Sequence, residues 1–230
     1  MLFSGGTTGI PKAAVCTHHA LLISGMQISS WLKDLLVRWD DKVMLNLPLF
    51  HIYGLAGVLL TALAGRNPLV VIPNPRDIED LPASIEKMRP ALLPGVPMLF
   101  NAVLNHRKVR SGRADLSCLK VSISGAAPLL LEIKDRYENL SGGRTVEGYA
   151  LTESVMAAVI TPVEGMYKRG PVGIPLPEVE IRITDVDTGV GDLPPGEVGE
   201  ILPGAPQLMR QYWQKPEETE NRIRGGLLYI

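Results

Sequence analysis

From Ala20 to Trp39, apolar residues return close to helical spacing at Leu22, Ile23, Met26, Trp31, Leu32, Leu35, Leu36 and Trp39, with Lys33, Asp34 and Arg38 elsewhere. The pattern predicts an amphipathic, core-facing helix. Lys42 to Leu47 then reads as a strand, Leu55 to Ala64 as an apolar helix ended by Gly65, and Leu69 to Ile72 as a buried strand closed by Pro73. A helix from Asp77 to Met88 stops at Arg89-Pro90, because the residue before a proline is pushed out of the helical region. A strand at Ala91 to Leu93, a helix from Pro97 to His106, a strand at Leu119 to Ser122, a helix at Leu129 to Leu140 and a strand starting at Thr145-Val146 complete the series. Such alternation predicts an α/β fold with a parallel sheet and covering helices.

Beyond Gly165 the texture changes. Prolines and glycines separate short runs such as Val179 to Ile183 and Glu197 to Leu202, which predicts a small antiparallel β subdomain. The expected organisation is an α/β nucleotide-binding subdomain over 1–165 and a β-rich subdomain over 166–230. No internal repeat or low-complexity tract interrupts it.

Composition narrows the function classes. The 230 residues are 46% hydrophobic, enough for a real core. Lys plus Arg (23) against Asp plus Glu (24) leaves a net charge of -1 and no global field for nucleic acid or an anionic membrane. The basic run His106 to Arg113 lacks interleaved aromatics and reads as a solvated loop, and Glu217 to Glu220 as a surface helix start. Cys16 and Cys118 are too few for a disulfide framework and read as buried free thiols in a reducing, cytoplasmic compartment. Leu47 to Leu63 is broken by Pro48, His51, Gly54 and Gly57 and falls short of a membrane span.

The segment Ser4-Gly5-Gly6-Thr7-Thr8-Gly9-Ile10-Pro11-Lys12 concentrates three glycines, three hydroxyls and one lysine in nine residues. Glycines let successive amides point into a concavity that fits phosphate oxygens, and hydroxyls and an ammonium add donors. Taken alone, the same residues would also make an ordinary surface turn before a helix. The spacing is not that of a Walker A loop, since Lys12 follows Gly9 by three and Ala13 comes next. The loop resembles the signature of the acyl-adenylate-forming, AMP-binding superfamily of acyl-CoA synthetases, adenylation domains and luciferases, with Ala13 in place of its final glycine. Five more superfamily segments follow in order: Leu47 to Leu55, Ser124 to Leu129, Glu147 to Glu153 with Ala150 for a glycine, Gly196 to Ile201, and Met209 to Thr219 with Gln211 for a glycine.

The resemblance implies ATP-dependent activation of a carboxylic acid to an acyl-adenylate, followed by transfer to coenzyme A. Carboxylate attack on the α-phosphorus brings anions together, so the chemistry asks for cations and oriented dipoles rather than a protein nucleophile. By resemblance, Lys12 with Ser4, Gly5, Gly6, Thr7, Thr8 and Gly9 holds the outer phosphates, Thr152 the α-phosphate, and Glu153 a Mg2+ ion. Gly148 would belong to the nucleotide site and Tyr149 would offer adenine a π-face, with Gly125 and Ala126 thin enough opposite for a purine. His51 would border the acyl carboxylate and the thiol route. Out of this context Glu153 is equally a helix-capping carboxylate, Tyr149 a core aromatic, and His18, His19 and His106 structural histidines.

No aspartate stands in Leu47 to Leu60 to pair a substrate ammonium, so an uncharged acid is expected. Leu93 to His106 resembles bacterial long-chain fatty acyl-CoA synthetases, which points to a medium- or long-chain fatty acid and to peripheral membrane contact where such substrates partition. The resemblance makes the chain an internal piece of a larger enzyme, lacking the family's Thr-Gly-Asp stretch and mobile C-terminal domain. By itself it is expected not to turn over. Two alternatives stay open: transfer to a carrier-protein thiol or to oxygen, and a truncated interaction module without catalysis. No Cys/His ligand set, Gly-x-Ser-x-Gly elbow or paired-carboxylate spacing supports zinc, hydrolase or glycosidase chemistry.

Overall fold

The computed structural model describes residues 1–4, 11–74, 78–165, 168 and 170–230. Its strands are β1 (Leu2–Ser4), β2 (Lys12–Val15), β3 (Lys42–Leu45), β4 (Leu69–Val71), β5 (Pro90–Gly95), β6 (Val121–Ser124), β7 (Arg144–Leu151), β8 (Met156–Ile160), β9 (Ile174–Pro175), β10 (Glu180–Thr184), β11 (Glu200–Gly204), β12 (Gln211–Tyr212), β13 (Ile223–Arg224) and β14 (Leu227–Leu228). Its α-helices are α1 (His18–Trp31), α2 (Thr61–Gly65), α3 (Leu81–Met88), α4 (Pro97–Asn105), α5 (Arg107–Arg110), α6 (Leu131–Ser141) and α7 (Pro216–Arg222), and a π-helical stretch, Tyr53–Leu60, runs into α2.

The expected parallel sheet is present. Seven strands lie in the order β4-β3-β5-β6-β7-β8-β9, parallel from β4 to β7 and antiparallel from β7 to β9. Helices fill the crossovers that parallel neighbours require. Side chains alternate between the two faces of the sheet: Val43 and Leu45 join a core with α1 and the π-helical stretch, while Met44 joins a second core with α3, α4 and α6. Every residue of β5 is buried, as expected of a strand covered on both faces.

Beyond residue 165 an antiparallel sheet forms, in the order β10-β11-β14-β13. Two strands from this part of the chain go elsewhere. β9 extends the seven-stranded sheet, and β12 pairs with β2 through Tyr212 opposite Ala14 and Gln211 opposite Val15. That second pairing completes a three-stranded sheet, β1-β2-β12, and joins the two extremes of the chain.

The first helix departs from its expected course. It ends at Trp31 instead of continuing to Trp39, which has a φ of 66° and lies exposed. Leu22 and Met26 are 56% and 54% exposed, whereas Ala20, Ser24, Gly25, Gln27 and Ile28 are buried. Close packing explains the reversal. A Cβ on Gly25 would stand 2.9 Å from the Leu60 carbonyl carbon, so α1 meets the π-helical backbone through small residues. Periodicity weighs hydrophobicity and is blind to a contact that selects for small size.

Among the other elements, the Asp77 end of the predicted helix lies outside the described residues and α3 begins at Leu81. Arg89 closes it in a left-handed conformation, and Pro90 opens β5. The run after His106 forms the short helix α5, with His106 itself buried and 3.2 Å from Glu79. Cys16 and Cys118 are free and half-buried, and burial raises both thiol pKa values. No helix among the described residues is long and apolar enough to cross a membrane.

Candidate functional site

Parallel strands end on one side of their sheet, and the crevice beyond those carboxyl ends is the usual ligand position in open α/β folds. Here β6 ends at Ser124, beside the β5 terminus at Gly95, whose carbonyl accepts the Gly125 N–H at 3.1 Å. The longer β7 runs on past them to Leu151. A cavity of about 710 Å³ opens there and is lined by Ser4, Lys12, His51, Gly125, Ala126, Gly148, Thr152 and Glu153 among others. Residues from widely separated stretches of sequence thus meet in one space.

Gly5, Gly6, Thr7, Thr8 and Gly9 lie outside the described residues. The ends of their loop are placed: Ser4 closes β1 and Lys12 opens β2, and the Ser4 hydroxyl is 3.4 Å from the Lys12 carbonyl. Tyr149 is half-buried and is absent from the cavity lining, while Gly148 and Ala150 on either side of it do line the cavity. Period-two alternation along β7 gives this result.

Gly125 serves a neighbour. A Cβ there would stand 3.2 Å from the Tyr53 ring, which projects from the π-helical stretch and donates to the Ile123 carbonyl at 2.7 Å. Tyr53 is fully enclosed, and burial pushes its phenol pKa upward. Ala126 follows with a φ of 69°, a turn that swings the chain away from the strand end. His51 is exposed at the rim, and its Nδ1 accepts the Tyr53 N–H at 3.1 Å. The ring is therefore fixed by the start of the π-helical stretch and presents its other edge outward.

Thr152 and Glu153 sit on a tight turn between β7 and β8. The turn contains two consecutive residues of positive φ, Val155 at 49° and Met156 at 109°, a costly arrangement for a β-branched side chain. Ser154 holds it. The wholly buried Ser154 hydroxyl accepts the Leu151 N–H at 3.1 Å and donates to the Met156 carbonyl at 2.6 Å. A Ser154→Ala substitution leaves both backbone groups without that partner, and it is expected to lower stability by about 2 kcal/mol in denaturant unfolding of the full-length protein. A loss below about 0.5 kcal/mol would show that the turn holds itself without the hydroxyl.

The Glu153 carboxylate has a definite partner. Its Oε1 accepts the Tyr212 hydroxyl at 2.6 Å, while its backbone carbonyl accepts the Met209 N–H at 2.7 Å. Burial first, and the Glu153 carboxylate second, raise the Tyr212 phenol, so it stays a proton donor at neutral pH. The Lys12 ammonium lies 5.2 Å from the centre of the Tyr212 ring and forms an ion pair with Glu218 of α7. Tyr212 is 2% exposed and held in β12 against β2, so one ring supports both Lys12 and Glu153.

Neither Tyr212 nor Glu218 stood out as a site residue in the sequence. Tyr212 belonged to a matched segment without a role, and Glu218 to an acidic surface run. Only the β2–β12 pairing brings them to Lys12. Among the described residues no cluster of three or more His, Cys, Asp or Glu side chains is placed to hold a metal ion by itself.

Residues 1–213 match the model of the AMP-binding enzyme family over most of the chain. The chain belongs to the AMP-binding enzyme family. It is 35% identical over 227 residues to a long-chain-fatty-acid–CoA ligase of Bacillus subtilis, covering 99% of this chain and 40% of that protein. It is 31% identical over 228 residues to a feruloyl-CoA synthase of Amycolatopsis, with 98% of this chain and 44% of that protein covered. The chain thus spans well under half the length of these relatives. Among solved structures, ATP-bound MatB from Rhodopseudomonas palustris superposes with a TM-score of 0.85 at 30% identity, over 100% of this chain and 44% of that one. The mixed α/β architecture, mainly parallel in its central sheet, is that of the family.

Proposed function

We propose that this chain is the nucleotide- and acyl-binding part of an ATP-dependent acid–CoA ligase acting on a medium- or long-chain fatty acid. The observation that carries the reading is the convergence of Lys12, Thr152 and Glu153 on one cavity at the strand ends. Among the described residues that cavity offers cationic and hydroxyl donors to phosphate, and no hydrogen-bonded Ser or Thr nucleophile–base pair, which suits attack by the substrate carboxylate itself.

Lys12 places a positive charge where the outer phosphates would lie, and the Thr152 hydroxyl donates to the α-phosphate. Among the described residues, Glu153 is the one acidic side chain lining the cavity. A single carboxylate suits Mg2+, which is commonly held by one or two carboxylates together with substrate phosphates and water. The residues therefore fit the ion, with Glu153 as its protein ligand. When bound, Mg2+ would neutralise phosphate charge as the acid approaches. The lining also includes Ile52, Ile123, Met156, Ala157 and Ile160, an apolar surface for an alkyl chain. An uncharged acid fits this wall, since burying an unpaired ammonium there would be costly. His51 at the rim borders the route by which the CoA thiol would reach the adenylate, and the names of the curated relatives support CoA as acceptor.

The test is acid-dependent ATP–pyrophosphate exchange by the full-length protein over acetate, octanoate, palmitate, an aryl acid and several amino acids. Exchange with octanoate or palmitate, far above the rest, is the expected result. Exchange confined to amino acids would overturn the substrate while keeping the reaction. Silence with every acid would overturn the enzymatic reading.

A further inference from the structure

We propose that Glu218 is an internal counter-anion that occupies Lys12 before nucleotide binds and is displaced by the outer phosphates of ATP, so that it sets both ATP affinity and its salt dependence. This rests on the reading of Lys12 as the phosphate-binding cation. Lys12 lines the cavity and Glu218 is outside its lining, yet the two side chains are ion-paired across its edge. The carboxylate is held where it competes. Lys215 approaches its other oxygen at 3.8 Å, and Thr219 next to it accepts the Tyr212 N–H at 2.9 Å and donates to the Lys215 carbonyl at 2.8 Å. Helix α7 is thereby tied to β12, the strand that carries the ring beneath Lys12.

An ammonium engaged by a carboxylate meets an incoming phosphate only by giving up part of that pairing. The two side chains are 30% and 35% exposed, so solvent screens the pair and displacement is within reach of a polyanionic ligand. AMP, which lacks the outer phosphates, has nothing to displace. The pairing therefore discriminates between nucleotides by phosphate number.

The experiment is equilibrium binding of ATP and of AMP, with Mg2+ present, to the full-length protein and its Glu218→Gln and Glu218→Asp variants at low and at high salt. Glu218→Gln is expected to bind ATP about threefold to fivefold more tightly at low salt, with the gain shrinking as salt rises and AMP affinity unchanged. Glu218→Asp keeps the charge and is expected to follow the parent. In a Lys12→Met background the Glu218→Gln gain should vanish, which a merely structural role for Glu218 would not produce. Unchanged or weaker ATP binding in Glu218→Gln, alongside normal binding by the parent, overturns the proposal and leaves the site reading standing. A parent protein that binds no ATP, or a Lys12→Met variant that binds it normally, overturns the site reading and this proposal with it.

Discussion

Replacing Glu153 with Gln in the full-length protein is expected to lower acid-dependent ATP–pyrophosphate exchange about a hundredfold or more at fixed Mg2+. The substitution is close to isosteric, and a Gln amide oxygen still accepts the Tyr212 hydroxyl that now lies 2.6 Å from Glu153. What disappears is the negative charge. Among the described residues that line the cavity, Glu153 alone is acidic, so the lining supplies no second carboxylate to take its place as a metal ligand. The loss should be accompanied by a raised Mg2+ requirement and an essentially unchanged melting temperature. Exchange within about threefold of the parent would remove Glu153 from the chemistry and leave it as the structural partner of the Tyr212 hydroxyl.

Gly54→Ala is expected to destabilise the folded chain by about 3 kcal/mol, read as a fall of roughly 6–12 °C in melting temperature. A Cβ at this position would stand 2.3 Å from the Pro48 carbonyl oxygen and 2.9 Å from the Leu47 carbonyl oxygen. Both obstacles are backbone, so no rotamer change relieves the overlap. Gly54 lies in the first turn of the π-helical stretch, and moving it displaces Tyr53 and the His51 contact at the cavity rim. Activity should fall with stability. A melting temperature within about 2 °C of the parent would mean that the Pro48 turn yields easily, against the close packing described.

The parts of this molecule that were legible in the sequence are those governed by local pattern. β3, β4, α3, α4 and α6 lie within a few residues of their expected positions, because apolar runs bounded by Gly and Pro report burial and chain reversal directly. The face of α1 was not legible. Its packing is set by the approach of another backbone at Gly25, which hydrophobicity does not encode. β8 also went unforeseen, since Met156–Ile160 follows a turn whose strained residues, Val155 and Met156, carry no glycine to announce it. At the site, Lys12, His51, Thr152 and Glu153 could be named from spacing and resemblance. Their partners could not, because Tyr212 and Glu218 reach them through pairing between the chain's extremes.

That pairing has a consequence for how the protein is made. β2 is the middle strand of its sheet, with β1 on one edge and β12 on the other. A ribosome delivers β1 and β2 before β12, and the stretch between β2 and β12 takes roughly 10–40 s to translate at ordinary elongation rates. Until then β2 has an unpaired edge open to other chains, and Lys12 has neither the ring beneath it nor the carboxylate beside it. On the site proposed above, nucleotide therefore cannot template the early stages of folding. It can stabilise only a chain in which β12 has already paired with β2.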